Sequence, residues 1–208
     1  MLELAPGVSQ LADFPRNQIN VYVVENILVD AGTLAARGRV LRQVTGRDLQ
    51  ANLITHGHPD HFGSSRAVCT RLGIPLWAGV ADREAIETAI PATGEGRLAR
   101  LMGKFPLAPG HPVTRVLHEG DEVAGFTVLE VPGHSPGHIA LWREWDAVLL
   151  CGDVFFNIRR PSQPPGFLTW KPDVNRQSMR RLADLRPRLV LFGHGKPERY
   201  GPLERMPI

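Results

Sequence analysis

Short apolar runs alternate along the chain with longer segments whose apolar residues recur at helical spacing. The short runs end at Gly, Pro, Asn or Asp, which is typical of β-strands. Strands are predicted over residues 19–24, 27–30, 52–55, 75–77, 126–131, 139–142, 147–151 and 189–192. Helices are predicted over residues 34–45, 64–72, 81–89 and 174–185. This order predicts a mixed α/β protein in which helices cover the sheets.

Two further segments fit neither pattern. Residues 90–112 and 157–172 are interrupted by Gly and Pro, and the second contains the run RRPSQPPG. Long irregular segments inside a domain are usually functional or disordered. We expect both segments to be loops that shape a substrate site.

The composition is that of a globular protein, with 43% hydrophobic and 22% charged residues among 208. This length suits one domain over residues 1–208. The N-terminal residues MLELAPGVSQLADF lack the basic and apolar segments of a secretory signal. No apolar run approaches the roughly 18 residues that a membrane span needs. We therefore expect a cytoplasmic protein with no membrane partner.

Charge and cysteine content exclude two further classes of function. The net charge of +3 comes mostly from arginine, and the arginines are scattered, so no nucleic-acid partner is expected. Cys69 and Cys151 lie far apart without CxxC spacing, which predicts neither a disulfide nor a cysteine zinc site. The sequence does not decide between a monomer and a homodimer.

Ionisable residues crowd into THGHPDHF, residues 55–62, at the end of the predicted strand 52–55. His56, His58, Asp60 and His61 all fall in this stretch. Further histidine and aspartate residues follow three other predicted strands: His134 in VPGHSPGH, Asp153 in LLCGDVFF and His194 in LFGHGKP. Because strand ends can meet at one edge of a sheet, we expect these seven side chains to lie close together.

Imidazole and carboxylate groups together are suitable ligands for zinc, and also for iron or manganese. A structural zinc site is closed by four ligands, so seven ligands indicate two metal ions. The sequence therefore predicts a binuclear centre, with zinc as the first choice.

The joint pattern resembles the metallo-β-lactamase superfamily, over nearly the whole chain from Asp30 in LVDAG to His194. The resemblance implies an αββα sandwich, in which two mixed β-sheets are flanked by helices. It also implies the ligand sets: His56, His58 and His134 for one ion, Asp60, His61 and His194 for the other, and Asp153 as the bridge. Asp30 would brace the histidine loop, because a metal-bound imidazole needs its other N–H oriented.

Two metal ions in one centre also imply a reaction. A hydroxide shared by the two metals would attack a carbonyl, and Asp60 would orient it and pass a proton to the leaving group. We expect the substrate to be a small-molecule ester, thioester or lactone. Phe156 and Trp170 are candidates for lining the substrate site, and Lys196 for binding a substrate carboxylate.

Other residues near the motifs are assigned structural roles. His138 follows His134 by four residues, and we expect it to be packed and hydrogen-bonded rather than a ligand. Cys151 precedes Asp153 by two residues, so strand alternation predicts the same face for both, with Cys151 as a small buried hydrophobe. His111 and His118 lie in turn-like surroundings, and we expect them to face solvent.

This chain differs from the sequence patterns of several branches of the superfamily, and these differences reduce the number of expected activities. The lactamase branch usually has Cys where this chain has Asp153, and flavodiiron proteins have Glu at the position of His58. Quorum-quenching lactonases typically place Tyr where this chain has Phe156. Glyoxalase II enzymes share phrases close to PGHSPGH and CGDVFF, but they continue into a helical domain that binds glutathione. The sequence therefore favours a glyoxalase II-like hydrolase without that domain.

Alternative functions remain at this point. A mononuclear-iron persulfide dioxygenase shares the fold and part of the ligand set. A nuclease or nucleic-acid-binding module is favoured only by the basic charge, and a metal-binding protein without catalysis is the third alternative.

Overall fold

Two β-sheets packed face to face form the centre of the computed structural model, which describes residues 1–13, 15–92, 107–199 and 203. The first sheet has the strand order β1 to β7: β1 Leu2–Ala5, β2 Val8–Gln10, β3 Tyr22–Val24, β4 Ile27–Val29, β5 Ala51–Ile54, β6 Leu76–Gly79 and β7 Arg115–Leu117. Strands β1 to β4 form an antiparallel meander, and β4 to β7 run parallel. The described part of this sheet is therefore mixed.

The second sheet is also mixed within the described residues. Its strands are β8 Glu122–Val123, β9 Phe126–Glu130, β10 Ile139–Arg143, β11 Val148–Asn157, β12 Leu189–Gly195 and β13 Glu198–Arg199. Their order is β13-β12-β11-β10-β9-β8, and among these described strands only the pair β11 and β12 is parallel. A parallel pair needs a crossover, which here contains a long helix.

Helices cover the outer face of each sheet. The helices are α1 Arg37–Val44, α2 Pro59–Phe62, α3 Ser65–Leu72, α4 Arg83–Thr88 and α5 Pro172–Asp184. Val40 and Val68, from α1 and α3, pack against Leu28 of the first sheet. Met179 and Leu182 of α5 pack in the same way on the second sheet. The predicted αββα sandwich is confirmed.

The core between the sheets follows from strand alternation. Inward-facing residues such as Leu53 of the first sheet and Leu141 of the second are fully buried in one apolar cluster. Both sheets present apolar residues on both faces, because helices cover them. Apolar burial of this kind contributes roughly 25 cal/mol per Å² to the stability of the fold.

Most predicted elements are found, but the structure adds several elements, including the helix α2, and extends two of the predicted strands. The N-terminal hairpin β1–β2, strand β7 and the short strands β8 and β13 were not predicted. The predicted strands 147–151 and 189–192 continue to Asn157 and Gly195, so Asp153 and His194 lie within strands rather than after their ends. The β11–β12 ladder shifts register at Gly152, whose φ of 51° interrupts regular alternation.

The two segments without a predicted structure are partly described. Residues 93–106 of the segment 90–112 lie outside the described residues. In the segment 157–172, Ser162 forms an isolated bridge with Phe156, and Gly166–Leu168 form a 3₁₀ turn. Among the described helices, none has the length and apolar character needed to cross a bilayer. The cytoplasmic location and the oligomeric state stay predictions from the sequence.

Candidate metal centre

The seven predicted ligands converge at one edge of the sandwich. His56 and His58 lie in the loop after β5, and Asp60 and His61 lie in the short helix α2. The other three come from the second sheet: His134 follows β9, Asp153 belongs to β11 and His194 to β12. The cluster therefore joins the two sheets, and His61 Nε2 lies 3.3 Å from His194 Nε2 across 133 positions of sequence.

Asp153 is at the centre of the cluster. Its Oδ2 lies 3.2 Å from His194 Nε2, 3.3 Å from His61 Nε2, 3.4 Å from His134 Nε2 and 3.7 Å from His56 Nε2. Its side chain is only 2% exposed. A buried carboxylate surrounded by four imidazoles is the arrangement expected of a group shared between two cations.

The potential ligand atoms form three overlapping groups. The first is His56, His58 and His134, the second is Asp60, His61 and His194, and the third is His56, His61 and Asp153. Within each group the atoms lie within 4.8 Å of one another. We refer to the first as the three-histidine group and to the second as the Asp60 group.

Unpartnered polar atoms show that the residues fit metal ions. His56 Nε2, His134 Nε2 and Asp153 Oδ1 are buried and have no hydrogen-bond partner among the described residues. A buried polar atom without a partner costs about 1–3 kcal/mol. Nitrogen and oxygen donors aimed at one point are the ligands that zinc, iron or manganese accept.

Asp30 and Thr55 orient two of the imidazoles. Asp30 Oδ2 lies 2.8 Å from His61 Nδ1, and Thr55 Oγ1 lies 3.0 Å from the same oxygen. Thr55 Oγ1 also lies 3.1 Å from His56 Nδ1. With a proton on Nδ1, both rings keep the Nε2 lone pair for the cluster. Asp30 is almost fully buried and has a φ of 61°, which is uncommon for a residue other than glycine.

The other three imidazoles are also anchored by the nitrogen that faces away from the cluster. His134 Nδ1 lies 3.4 Å from Thr169 Oγ1, and His194 Nδ1 makes a short contact with the carbonyl of Gln18. His58 differs, because its Nε2 is the anchored atom, 3.3 Å from the carbonyl of Ala92. A proton on that Nε2 leaves the lone pair of His58 on Nδ1.

The close approach of two strands also requires glycine beside the cluster. A Cβ atom at Gly193, next to His194 in β12, would lie 2.0 Å from Asp153 Oδ1. Any other residue at this position would displace the Asp153 carboxylate. The glycine of LFGHGKP is therefore a packing requirement of the cluster.

Electrostatics keep His56 and His58 of the three-histidine group unprotonated. Burial lowers the pKa of His58 to about 3, and the neighbouring His134 acts in the same direction. Burial and the neighbouring His61 hold the pKa of His56 well below its ordinary value. Neutral imidazole is the form that binds a metal ion.

The electrostatic potential at the Asp60 group is more negative than at the three-histidine group. Burial alone would lower the pKa of His194, but the carboxylate of Asp153 raises it to about 10. Burial is likewise outweighed at His61, where Asp153 and Asp30 raise the pKa well above its ordinary value. Burial would raise the pKa of Asp60, but His61 and His194 lower it, so this carboxylate stays ionised. The negative potential that holds protons on the two imidazoles also attracts a cation.

His138 lies against the cluster without directing a nitrogen into it. Its Nε2 accepts a 2.9 Å hydrogen bond from the backbone N–H of Asp153, and its ring stacks on His56 at 4.8 Å. His138 is thus buried and hydrogen-bonded, as predicted. His118 is exposed and His111 is partly exposed.

Cys151 requires a correction. It is a buried free thiol, as predicted, but it packs in the apolar cluster beneath α5 with Met179 and Phe155. Asp153 instead lies in the metal-ligand cluster. The prediction that both share a face was wrong because Gly152, at φ 51°, breaks the strand alternation between them.

A cavity of about 400 Å³ opens above the cluster. Its described wall includes Leu34, Leu107, Phe156 and Leu168 in addition to the predicted ligands His58, Asp60, His134, Asp153 and His194. The Phe156 ring lies 4.5 Å from that of His194. The mouth is apolar, since Leu34 and Leu107 are 40% and 53% exposed.

The other two predicted substrate contacts lie elsewhere. Trp170 is outside the described wall, and its backbone N–H donates to the carbonyl of His134 while its ring contacts Lys171 Nζ at 4.2 Å. Lys196 lines a separate surface cavity with Arg16 and Arg199. The chain turns away from the cluster at Gly195, whose φ is 103°.

Sequence reasoning missed several residues that support the cluster. Thr55 and Thr169 contact histidine nitrogens through their hydroxyl groups, and Gln18 does so through a carbonyl that carries no sequence signal. Thr55 directly precedes His56, so its position was the one available hint. Leu34, Leu107 and Leu168 reach the cavity from segments distant in sequence.

Comparisons with known proteins agree with this geometry. The chain matches the family described as the metallo-beta-lactamase superfamily over residues 14–194. It is 28% identical over 202 residues to the probable metallo-hydrolase YflN of Bacillus subtilis, covering 82% of this chain and 75% of that protein. It is 26% identical over 187 residues to the hydroxyacylglutathione hydrolase GloC of Haemophilus influenzae, covering 86% of this chain and 84% of that protein.

A solved structure gives the same result. The chain superposes on TTHA1623 in a di-iron-bound form with a TM-score of 0.71 and 32% identity, covering 95% of this chain and 96% of the other. The family match spans most of the sequence and includes all seven candidate ligands. The chain therefore belongs to the metallo-β-lactamase superfamily.

Proposed function

We propose that this protein is a binuclear metallohydrolase that cleaves an ester, thioester or lactone of a small molecule. The observation that carries the proposal is the position of Asp153 Oδ2, within 3.7 Å of four histidine Nε2 atoms that come from segments following β5 and β9 and from β12, and so from both sheets of the sandwich. The three-histidine group would hold one ion and the Asp60 group the other, with Asp153 between them. Two divalent ions held together supply water activated for attack near neutral pH and an electrophile for the carbonyl oxygen.

Asp60 is the residue we assign to proton transfer. Its side chain is 35% exposed, compared with 2% for Asp153, so it faces both the cluster and the cavity. Its Oδ2 lies 3.2 Å from His194 Nε2, and its lowered pKa keeps it ionised. From its position between the cluster and the cavity, we assign Asp60 Oδ2 to orienting the attacking water and to passing a proton to the leaving group.

Zinc is the ion that we propose first. Five histidines and two aspartates are compatible with zinc, iron or manganese, and the neighbour TTHA1623 is described in a di-iron-bound form. Metal analysis of protein purified without chelator decides among them. The expected result is about two equivalents of metal per chain, as in binuclear sites.

The cavity supports a substrate with an apolar acyl or alcohol group. Leu34, Leu107 and Leu168 present apolar side chains beside the cluster. Apolar walls bind such groups through the area that they remove from water. The likeness to GloC keeps a glutathione thioester among the candidates, because the aligned region covers 84% of that protein.

A substrate panel tests the proposal. Esters, thioesters, lactones, phosphodiesters and persulfides are assayed with the metal content measured in parallel. We expect hydrolysis of a carbonyl substrate, loss of activity with a chelator and recovery when the metal is returned. One equivalent of iron together with oxygen consumption on a persulfide would instead identify a dioxygenase. Activity confined to phosphodiesters, with a steep salt dependence, would identify a nuclease.

A further inference from the structure

Asp82 is a buried carboxylate that lies beside the loops of the candidate metal ligands. The proposed reaction does not use it. This residue ends the short 3₁₀ turn Val80–Asp82 that follows β6, and it is 1% exposed. An aspartate at the start of a helix commonly caps that helix. Here the side chain makes no capping hydrogen bond to α4 and is directed toward other loops instead.

The carboxylate of Asp82 holds two loops at once. Its Oδ2 accepts a 2.7 Å hydrogen bond from the backbone N–H of Gly57 and a short one from Ser135 Oγ. Its Oδ1 accepts a 2.8 Å hydrogen bond from the backbone N–H of Gly137. Gly57 lies between His56 and His58, and Ser135 directly follows His134. One side chain therefore connects both chain segments that supply the three-histidine group.

The packing around Asp82 is too close for other residues at its partners. A Cβ atom at Gly57 would lie 3.3 Å from Asp82 Cγ and 3.0 Å from Ala85 Cβ. A Cβ atom at Gly137 would lie 2.2 Å from the backbone nitrogen of Asp82. The two loops thus contact the Asp82 turn directly, and a shift of this turn would move both loops.

The Asp60 group has a different support. Asp30 accepts from His61 Nδ1 and from Thr55, and neither contact involves the loop of His134. We infer that Asp82 is a positioning residue for the three-histidine group, setting the distance between the His56–His58 loop and the His134 loop. This inference rests on the proposed metal centre. It implies that Asp82, unlike Asp30, connects the two chain segments that supply the three-histidine group.

Metal affinity in single-site backgrounds tests the inference. His194→Ala disables the Asp60 group, and His58→Ala disables the three-histidine group. Each background is combined with Asp82→Ala, and the Kd of Co²⁺ or Zn²⁺ is measured by competition with a chromophoric chelator. Loss of a residue that orients metal ligands typically weakens binding about 10–100-fold. We expect that loss in the His194→Ala background and an unchanged Kd in the His58→Ala background.

Two milder variants keep the test decisive if Asp82→Ala does not fold. Asp82→Asn preserves the shape and one acceptor oxygen, so it is expected to recover part of the lost affinity. Ser135→Ala removes one donor and should weaken binding in the His194→Ala background only. Asp146→Asn is the matched control, because Asp146 pairs with Arg143 and not with a ligand loop. It should leave both Kd values unchanged.

The outcomes separate the two proposals. Unchanged Kd values in the Asp82 and Ser135 variants would overturn the positioning role while leaving the metal centre intact. Equal weakening in both backgrounds would also overturn it, because the effect would then be general. Failure of the wild-type protein to bind metal tightly would refute the metal centre itself.

Discussion

The backbone N–H of Asp153 donates a 2.9 Å hydrogen bond to Nε2 of His138, whose ring stacks on that of His56. This hydrogen bond holds the backbone of β11 at Asp153, and from this position the Asp153 carboxylate extends into the cluster. It also uses the lone pair of His138 Nε2, and because the neutral ring then carries its proton on Nδ1, no lone pair remains for a metal ion.

His138→Ala should therefore reduce stability more than metal content. The variant leaves the buried N–H of Asp153 without an acceptor, which costs about 1–3 kcal/mol in the free energy of unfolding. Chemical denaturation measures this loss, and metal analysis should still give the wild-type stoichiometry. His118→Ala, at an exposed histidine, is the control. A loss of one metal equivalent in His138→Ala would show that His138 is a ligand.

Asp153→Ala should remove both metal ions and the hydrolytic activity. Four imidazole nitrogens lie around the same carboxylate oxygen, so its loss leaves the charge of two bound cations unopposed at the centre of the cluster. Metal analysis and the substrate assay measure the two effects. Asp184→Ala, at an exposed position of α5, should change neither. Retention of activity in Asp153→Ala would exclude a bridging role.

Removal of metal should lower the melting temperature. Without cations, His56 Nε2, His134 Nε2 and Asp153 Oδ1 stay buried and unpartnered. A ligand at a hundredfold excess over its Kd adds about 2.7 kcal/mol to stability. For a chain of this length one kcal/mol corresponds to about 2–4 °C, so we expect a decrease on the order of 5–10 °C. Calorimetry with and without chelator measures it, and Asp153→Ala should show little response to the chelator.

The apolar mouth of the cavity should determine a preference for longer acyl groups. Each buried methylene contributes about 0.8 kcal/mol, which corresponds to roughly fourfold in kcat/KM. Leu34→Asp should flatten this dependence in a series of esters while leaving the shortest ester nearly unaffected. Leu2→Asp, at an exposed leucine away from the described cavity wall, should preserve the series. A chain-length series that is flat in the wild type would contradict an acyl-binding role.

The sequence was sufficient to identify the candidate ligands and Asp30, but not the other residues that support the cluster. His56, His58, Asp60 and His61 stand out because so many ionisable residues rarely follow a buried strand. Asp82 did not stand out, since an aspartate at the start of a helical segment normally indicates a cap. Its three hydrogen-bond partners lie 25 to 55 positions away in sequence, where no local pattern connects them.

Strand limits were less predictable than strand positions. The extension of β11 past Asp153 depends on Gly152 adopting a positive φ and on pairing with β12, both of which are tertiary effects. The cavity wall was also beyond sequence reasoning, because Leu34 and Leu168 come together only after the two sheets have packed. Local sequence patterns predict single helices and strands. The cavity is formed by residues from several of these elements, so such patterns do not predict its wall.

The 133-residue separation between His61 and His194, which lie 3.3 Å apart, has a consequence for folding kinetics. Such a distant contact forms only after a large loop has closed, so the proposed metal centre cannot nucleate the fold. Metal present during refolding should leave the folding rate nearly unchanged and act mainly by slowing unfolding. The bound metal ions would then stabilise the contact between the two sheets only after the sheets have packed together.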